Sequence, residues 1–220
     1  MASKLRGARF RWINEQLYTT RGEDAFALFQ DQPEIFNEYH EGFQSQVKSW
    51  PTNPVDLYIK VLRKLPSTLV VADMGCGEAK IAQSVKQTVH SFDLVAANAH
   101  ITACNIAHTP MPDSAVDIVI FCLSLMGTNY LDFLREARRI AKPNGQLWVA
   151  EVISRFTDID AFIQVLDGLG FKLSVKDASN KMFILFEFSS SPSTPQPKRA
   201  KSVSSKASAP LLKPCIYKRR

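Results

Sequence analysis

This 220-residue chain has no apolar run long enough to cross a membrane. No secretory signal opens it, because its N-terminus is Arg-rich and lacks a long apolar stretch. The four cysteines, Cys76, Cys104, Cys122 and Cys215, show no paired spacing. The four histidines, His40, His90, His100 and His108, form no zinc pattern with them. Together these absences point to a reduced intracellular protein without a metal. A P-loop is excluded, since no G-x-x-x-x-G-K-[ST] occurs. Acid is scarce at the ends. Residues 1–21 hold five basic groups and one acid, and residues 189–220 hold eight basic groups and none. The body, 22–188, holds 14 basic and 20 acidic groups, so the net charge of +6 comes from the termini. Basic ends attract polyanions; a solubilising tail with a nuclear-import signal is the other reading.

What is present is organised in two textures. Residues 1–66 carry apolar positions at helical spacing, such as Phe26, Phe29, Ile35, Phe36, Tyr39 and Phe43, and read as a helical N-terminal subdomain. From residue 67 to 188, branched apolar runs alternate with helical patterns. Strands are expected at 69–72, 90–94, 101–104, 116–125 and 146–153. Helices are expected at 79–87, 130–141 and 158–169, with turn chemistry at Lys142-Pro143-Asn144-Gly145. Two last strands, 171–175 and 182–188, read as a hairpin. Such alternation implies an α/β fold with a doubly wound, mostly parallel sheet. A terminal antiparallel pair suggests the class I, Rossmann-like sheet of the methyltransferases. Residues 189–213 are rich in Ser, Pro and Lys and read as a disordered linker. Residues 214–220 regain apolar side chains and are expected to dock on the core.

The chemistry sits at Asp73-Met74-Gly75-Cys76-Gly77. A dinucleotide loop needs a third glycine, and Lys80 stands there instead. Asp73 would also face a pyrophosphate unfavourably. S-adenosylmethionine suits the loop better: it has no phosphate, and its ammonium can be received by Asp73. Gly75 and Gly77 permit positive φ and close approach of the backbone. Asp93, sixteen residues past Gly77, is placed to accept from two ribose hydroxyls. A plain strand–turn–helix corner is the competing reading, and Asp93 weighs against it. Asn105 is a candidate acceptor for the adenine amino group with Ile106 beside the ring, or else a turn residue. Cys122 lies near the C-terminal end of the fourth strand, where open α/β sheets place ligands; otherwise it is a small core residue.

Other stretches carry a family resemblance. RFRWINEQLY at 9–18, YHEGFQSQV at 39–47, the glycine loop, FCLSLMGTN at 121–129 and CIYKRR at 215–220 resemble the nucleomethylin-like family of ribosomal RNA-processing adenine-N1 methyltransferases. The likeness covers nearly the whole chain except the Ser/Pro linker. It implies a nuclear, nucleolar enzyme acting on N1 of an adenine in large-subunit ribosomal RNA. It implies cofactor contacts at His40, Gly75, Asp93, Cys122 and the pair 105–106. The family has Asp and Met at that pair, where this chain has Asn105 and Ile106, so binding is expected to persist without the charge. Family members often carry a long basic N-terminal region, so a catalytic domain and a short member are both open. The family's link to histones and gene silencing implies chromatin partners.

The residues leave several functional readings side by side. Adenine N1 has a free lone pair and needs no strong base, but it lies on the pairing edge, so the base must be unpaired or flipped. The strand motif CLSLMG is not the Asn/Asp-Pro-Pro-Tyr/Phe type that holds an exocyclic amine. Glu151 is a candidate for stabilising a cationic product, or a surface or capping residue. His40 either closes over the cofactor or is structural. Arg6, Arg9, Arg11 and Trp12 suit phosphate contact and base stacking, or mark a helix docked with Trp12 and Phe10 inward. An AdoMet-sensing chromatin adaptor and a small-molecule methyltransferase are the rival functions.

Overall fold

A computed structural model describes residues 2–192 and 210–215, with side chains from Arg6 onward. Of the expected linker 189–213, residues 193–209 lie outside the described residues, as do 216–220; its two ends are ordered instead, Ser189 and Ser190 in the last strand of the sheet and 210–213 against the body. Four helices come first: α1 (Ala2–Thr19), α2 (Gly22–Asp31), α3 (Glu34–Val47) and α4 (Pro54–Leu62). The sheet follows as β1 (Val70–Met74), β2 (Thr88–Asp93), β3 (Ile101–Ala103), β4 (Val116–Cys122), β5 (Ala141–Val152), β6 (Phe171–Asp177) and β7 (Phe183–Ser190). Helix α5 (Tyr130–Ile140) lies between β4 and β5, and α6 (Ile159–Gly168) between β5 and β6.

The strand order is β3-β2-β1-β4-β5-β7-β6. The first five strands are parallel, and β7 inserts antiparallel between β5 and β6. The order reverses between β1 and β4, and a crevice opens beyond the C-terminal ends of the strands at such a switch point. Strand β4 (VDIVIFC) is apolar on both faces because both are covered. On one face α5 and α6 bury Phe133, Leu134, Phe162 and Leu166 against Val119, Phe121 and Phe186. On the other, α4 buries Tyr58, Ile59 and Leu62 against Val71, Ile118, Ile120 and Trp148. A third cluster, with Phe10, Ile13, Phe29, Ile35 and Phe36, holds α1 to α3 together.

Three expectations fail for local reasons. The helix expected at 79–87 does not form, and residues 77–84 run as consecutive turns. Gly77 and Ala79 both sit at φ near +60°, which prevents the first helical turn, and the few residues left before β2 cannot recover a costly nucleus. Ile81 plugs the sheet face from this loop, beside α4. The strand expected to 125 ends at Cys122, because Leu123 turns to φ +61°. Lys142-Pro143-Asn144-Gly145 does not separate helix from strand: it forms a bulge inside β5, between the pairings of Ala141 with Val116 and Gln146 with Ile118, with Asn144 at φ +59°.

Residues 210–215 lie against the body. Leu212 is buried and bridges to Phe156. Thr157 N–H donates to the Leu211 carbonyl at 2.9 Å and Lys213 N–H to the Arg155 carbonyl at 2.7 Å. Asn14 of α1 donates to the Cys215 carbonyl at 2.7 Å.

Candidate active site

A cavity of about 480 Å³ lies beyond the C-terminal ends of β1, β2 and β4, within the range of small-molecule sites. His40, Asp73, Gly75, Gly77, Asp93, Asn105, Ile106 and Cys122 all line it. The sheet provides the floor, and α2 and α3 provide a roof of Phe29, Phe36, Tyr39 and Phe43.

The glycine loop is shaped by its neighbours. Gly75 N–H and Cys76 N–H both donate to the Phe92 carbonyl, at 2.8 and 3.0 Å, which folds the loop back onto β2. Gly75 has φ +78°, and a Cβ there would stand 2.4 Å from that of Ser124. Gly77, at φ +60°, would place a Cβ 3.1 Å from the His40 ring. Glycine at both positions therefore lets the loop pack directly against Ser124 and His40.

Asp73 ends β1 and is almost fully buried. Loss of solvent, and then the neighbouring Asp93, push its carboxyl up to about 7. Asp93 ends β2 and accepts from Gly77 N–H and Leu94 N–H, each at 2.7 Å. Burial still lifts it to about 6 against those two bonds. Two buried carboxyls lining one cavity call for a cationic or hydroxyl-bearing partner. His40 packs 4.2 Å from the Phe36 ring, and burial lowers it to about 4, so it is neutral at physiological pH. Burial raises the Cys122 thiol well above its ordinary value, so it is no thiolate nucleophile. Asn105 Oδ1 accepts from Ala107 N–H at 3.0 Å, a local turn that leaves it one further lone pair.

The comparisons bear on this arrangement. The family described as "Hypothetical methyltransferase" matches residues 1–220. The chain belongs to this methyltransferase family. It is similar to the 25S rRNA (adenine(645)-N(1))-methyltransferase of Schizosaccharomyces pombe, with 49% identity over 236 residues, all of this chain and 71% of that one. It is also similar to ribosomal RNA-processing protein 8 of Rattus norvegicus, with 50% identity over 221 residues, all of this chain and 47% of that one. The chain thus spans only part of these relatives. Among solved structures it resembles Burkholderia thailandensis 1,6-didemethyltoxoflavin-N1-methyltransferase, crystallised with 1,6-didemethyltoxoflavin and S-adenosylhomocysteine. There the TM-score is 0.56 at 14% identity, over 72% of this chain and 86% of that one, a likeness of fold.

The methyltransferase cavity fits an S-adenosyl ligand by its own chemistry. It offers buried carboxyls for an ammonium and a ribose, glycines where the backbone must approach closely, and a wall of aromatic rings. Among the described residues no group of His, Cys, Asp and Glu is arranged to hold a metal ion.

Sequence reasoning missed several lining residues. Ser124, which donates to the Met74 carbonyl, ties the β4 exit to the glycine loop. Leu123, Met126 and Gly127 line the cavity from the same turn; the motif FCLSLMGTN held the signal, but only Cys122 was read from it. Glu78 also lines the cavity. Glu151, in contrast, is neither at the cavity, at the surface nor a cap. It is fully buried and ion-paired with Arg155 at 2.7 Å, and it accepts from Leu125 N–H at 3.1 Å. On α1, Phe10 is buried while Trp12 points outward, 41% exposed, with the Arg9 guanidinium 4.9 Å from its ring.

Proposed function

We propose that this chain uses S-adenosylmethionine to methylate N1 of an adenine in large-subunit ribosomal RNA, and that it works in the nucleolus. The observation that carries the reading is the cavity with its two dry carboxyls, Asp73 and Asp93, in a chain similar over its whole length to a 25S rRNA adenine-N1 methyltransferase.

In this reading Asp73 receives the ammonium, directly or through water, and Asp93 accepts from the ribose hydroxyls while keeping its bond from Gly77 N–H. The turn Gly75-Cys76-Gly77 lies along the methionine portion. Asn105 accepts from the adenine amino group with its free lone pair, and Ile106 flanks that ring. His40 seats the ligand against Gly77 as a neutral ring, and Cys122 as a neutral thiol. The cofactor, when bound, supplies a methyl group on a sulfonium centre to the lone pair of N1. The protein needs no base for this: N1 attacks with a lone pair it already has, His40 with its lowered value of about 4 is a weak base, and the Cys122 thiol stays protonated. What the chain supplies is orientation in a water-poor site. The methylated adenine is cationic, and Glu78 places negative charge in the same cavity.

A methyl-lysine reader requires a cage of exposed aromatic faces. Among the described residues the large apolar side chains left exposed are Trp12, Val61, Leu173, Val175 and Met182. The single ring among them already has a guanidinium over it, which favours the enzyme reading over the adaptor.

The test is incubation with S-adenosylmethionine and unmodified ribosomal RNA, followed by nucleoside mass spectrometry. The expected product is 1-methyladenosine, absent with Asp93→Ala, whose cofactor affinity should fall about 100-fold or more for the loss of two charge-assisted hydrogen bonds. Cofactor binding without RNA methylation would overturn the reading.

A further inference from the structure

One stretch of the acidic body is basic. Residues 48–86 carry six basic and three acidic side chains, and one of those acids is the buried Asp73. Folding gathers four of the cations into a groove of about 460 Å³, lined by Lys60, Arg63, Lys64 and Lys80 with one carboxylate, Asp56. Positions 56 and 60 lie one helical turn apart on the outer face of α4, and 63–64 in the turn that follows it, while Tyr58 and Leu62 are buried on the sheet side. The turns at 77–84 form the other wall. Arg63 Nε donates to the Ser84 carbonyl at 3.0 Å, and Lys80 pairs with Asp56 at 2.6 Å. Lys60 and Lys64 are exposed and have no ion pair among the described residues. Lys80 lines the groove and the cofactor cavity alike, so the two adjoin at that side chain. Lys48, at the end of α3, adds a further cation to the cavity lining.

We infer that this groove carries the phosphodiester backbone of the RNA strand flanking the target adenine, with Lys60 and Lys64 contacting phosphates. The inference rests on the RNA methyltransferase reading above. A base presented to the cavity must leave its stack, and its neighbours then follow as a single strand. Such a strand is held by a cationic groove leading from the site that takes the base. Lysine suits this role because an ammonium on a flexible stem binds phosphate as a point charge without dictating sequence. The missing helix matters here: the turns at 77–84 bring Lys80 and Ser84 to α4 and so create the second wall.

The test compares wild type with Lys60→Glu/Lys64→Glu, neither of which lines the cofactor cavity. Three readouts are taken: RNA affinity across a salt series, methylation kinetics, and S-adenosylmethionine affinity by calorimetry. The double variant should bind RNA at least tenfold more weakly at moderate salt. Its plot of log affinity against log salt should be shallower by about 1.4, for two phosphates at about 0.7 each. KM for RNA should rise while kcat at saturating RNA stays within about twofold, and cofactor affinity should not move. Lys60→Arg/Lys64→Arg should restore RNA affinity. A Glu variant with wild-type RNA affinity and salt slope overturns the groove and leaves the methylation reading standing. A variant that loses cofactor affinity also overturns it, by placing the effect in the cavity. If the wild type neither binds nor methylates RNA, the RNA reading fails and the groove falls with it.

Discussion

Asp73 and Asp93 lie at the C-terminal ends of adjacent parallel strands, Asp73 opposite Ser91 and Asp93 two residues further along β2, so the sheet itself sets both at the cavity floor. Both are raised, Asp73 to about 7 and Asp93 to about 6. The sign follows directly. A carboxyl whose folded pKa lies above its unfolded value holds an extra proton in the folded state, so without ligand stability falls as pH rises from about 4 to about 7. A bound ammonium favours the ionised form and expels that proton. Cofactor affinity should therefore rise from pH 5.5 to about 7.5 and then level off. Calorimetry in two buffers of different ionisation enthalpy should detect up to one proton released per ligand at pH 6 and almost none at pH 8. Binding at pH 6 with no proton release would contradict Asp73 as the ammonium partner. His40 has the opposite bias: burial lowers it to about 4, so it adds to acid lability between about 6.5 and 4 and has no charge to lose above that window. Asp73 was legible as a strand end before glycine and Asp93 as the end of the next strand, whereas His40, on a helix, was a candidate through the family resemblance. Their protonation was not legible, because it depends on what packs over them.

At the scale of elements, the short 3₁₀ turn after β5 carries the residue that ties four parts together. Arg155 pairs with Glu151 of β5, donates to the Leu125 carbonyl at 2.7 Å and to the Lys213 carbonyl at 2.9 Å, and lies 4.7 Å from the Tyr18 ring of α1. Leu125 belongs to the turn that lines the cavity, so a buried cation links the C-terminal segment to the site. Arg155→Ala strands the Glu151 carboxylate in the core. It should destabilise the protein by about 3–5 kcal/mol, whereas Glu151→Leu/Arg155→Leu should cost less. Urea unfolding of the three proteins distinguishes these cases; equal losses would mean that Arg155 acts only by packing. The sequence pattern placed strands and helices within a few residues wherever apolar periodicity was strong. It failed where backbone conformation decided: Ala79, Leu123 and Asn144 take positive φ in spite of their side chains. Two of them are pinned by backbone bonds, Ala79 through its N–H to the Cys76 carbonyl and Leu123 through its N–H to that of Ala150.

For the whole molecule, the site is a joint of two parts. The floor comes from β1, β2 and β4, and the roof from α2 and α3. The joint is closed by hydrogen bonds from Gly22 N–H to Asn129 Oδ1 at 2.8 Å and from Thr128 N–H to the Thr20 carbonyl at 2.9 Å. Gly22 is held tightly: a Cβ would stand 2.9 Å from Asn105 Oδ1 and 3.0 Å from Phe133. A ligand that touches floor and roof should stabilise both. Hydrogen exchange with saturating S-adenosylhomocysteine should show added protection in α3 and in the loop at 75–79, above any general rise from ligand linkage. Protection confined to the floor would show that the helices do not contact the ligand.

The sequence by itself determined the α/β class and the glycine loop between two acidic strand ends, and with them the expectation of a ligand without phosphate. Those features depend on residue type and short spacing, which a linear reading captures. Tertiary structure alone decided that eight residues spread over more than 80 positions meet in one cavity and that Glu151 is a structural partner of Arg155. It alone assembled a basic groove from α4 and a loop expected to be helical. Such outcomes depend on burial and on contacts across the sheet, and therefore on distances in space that chain order does not record.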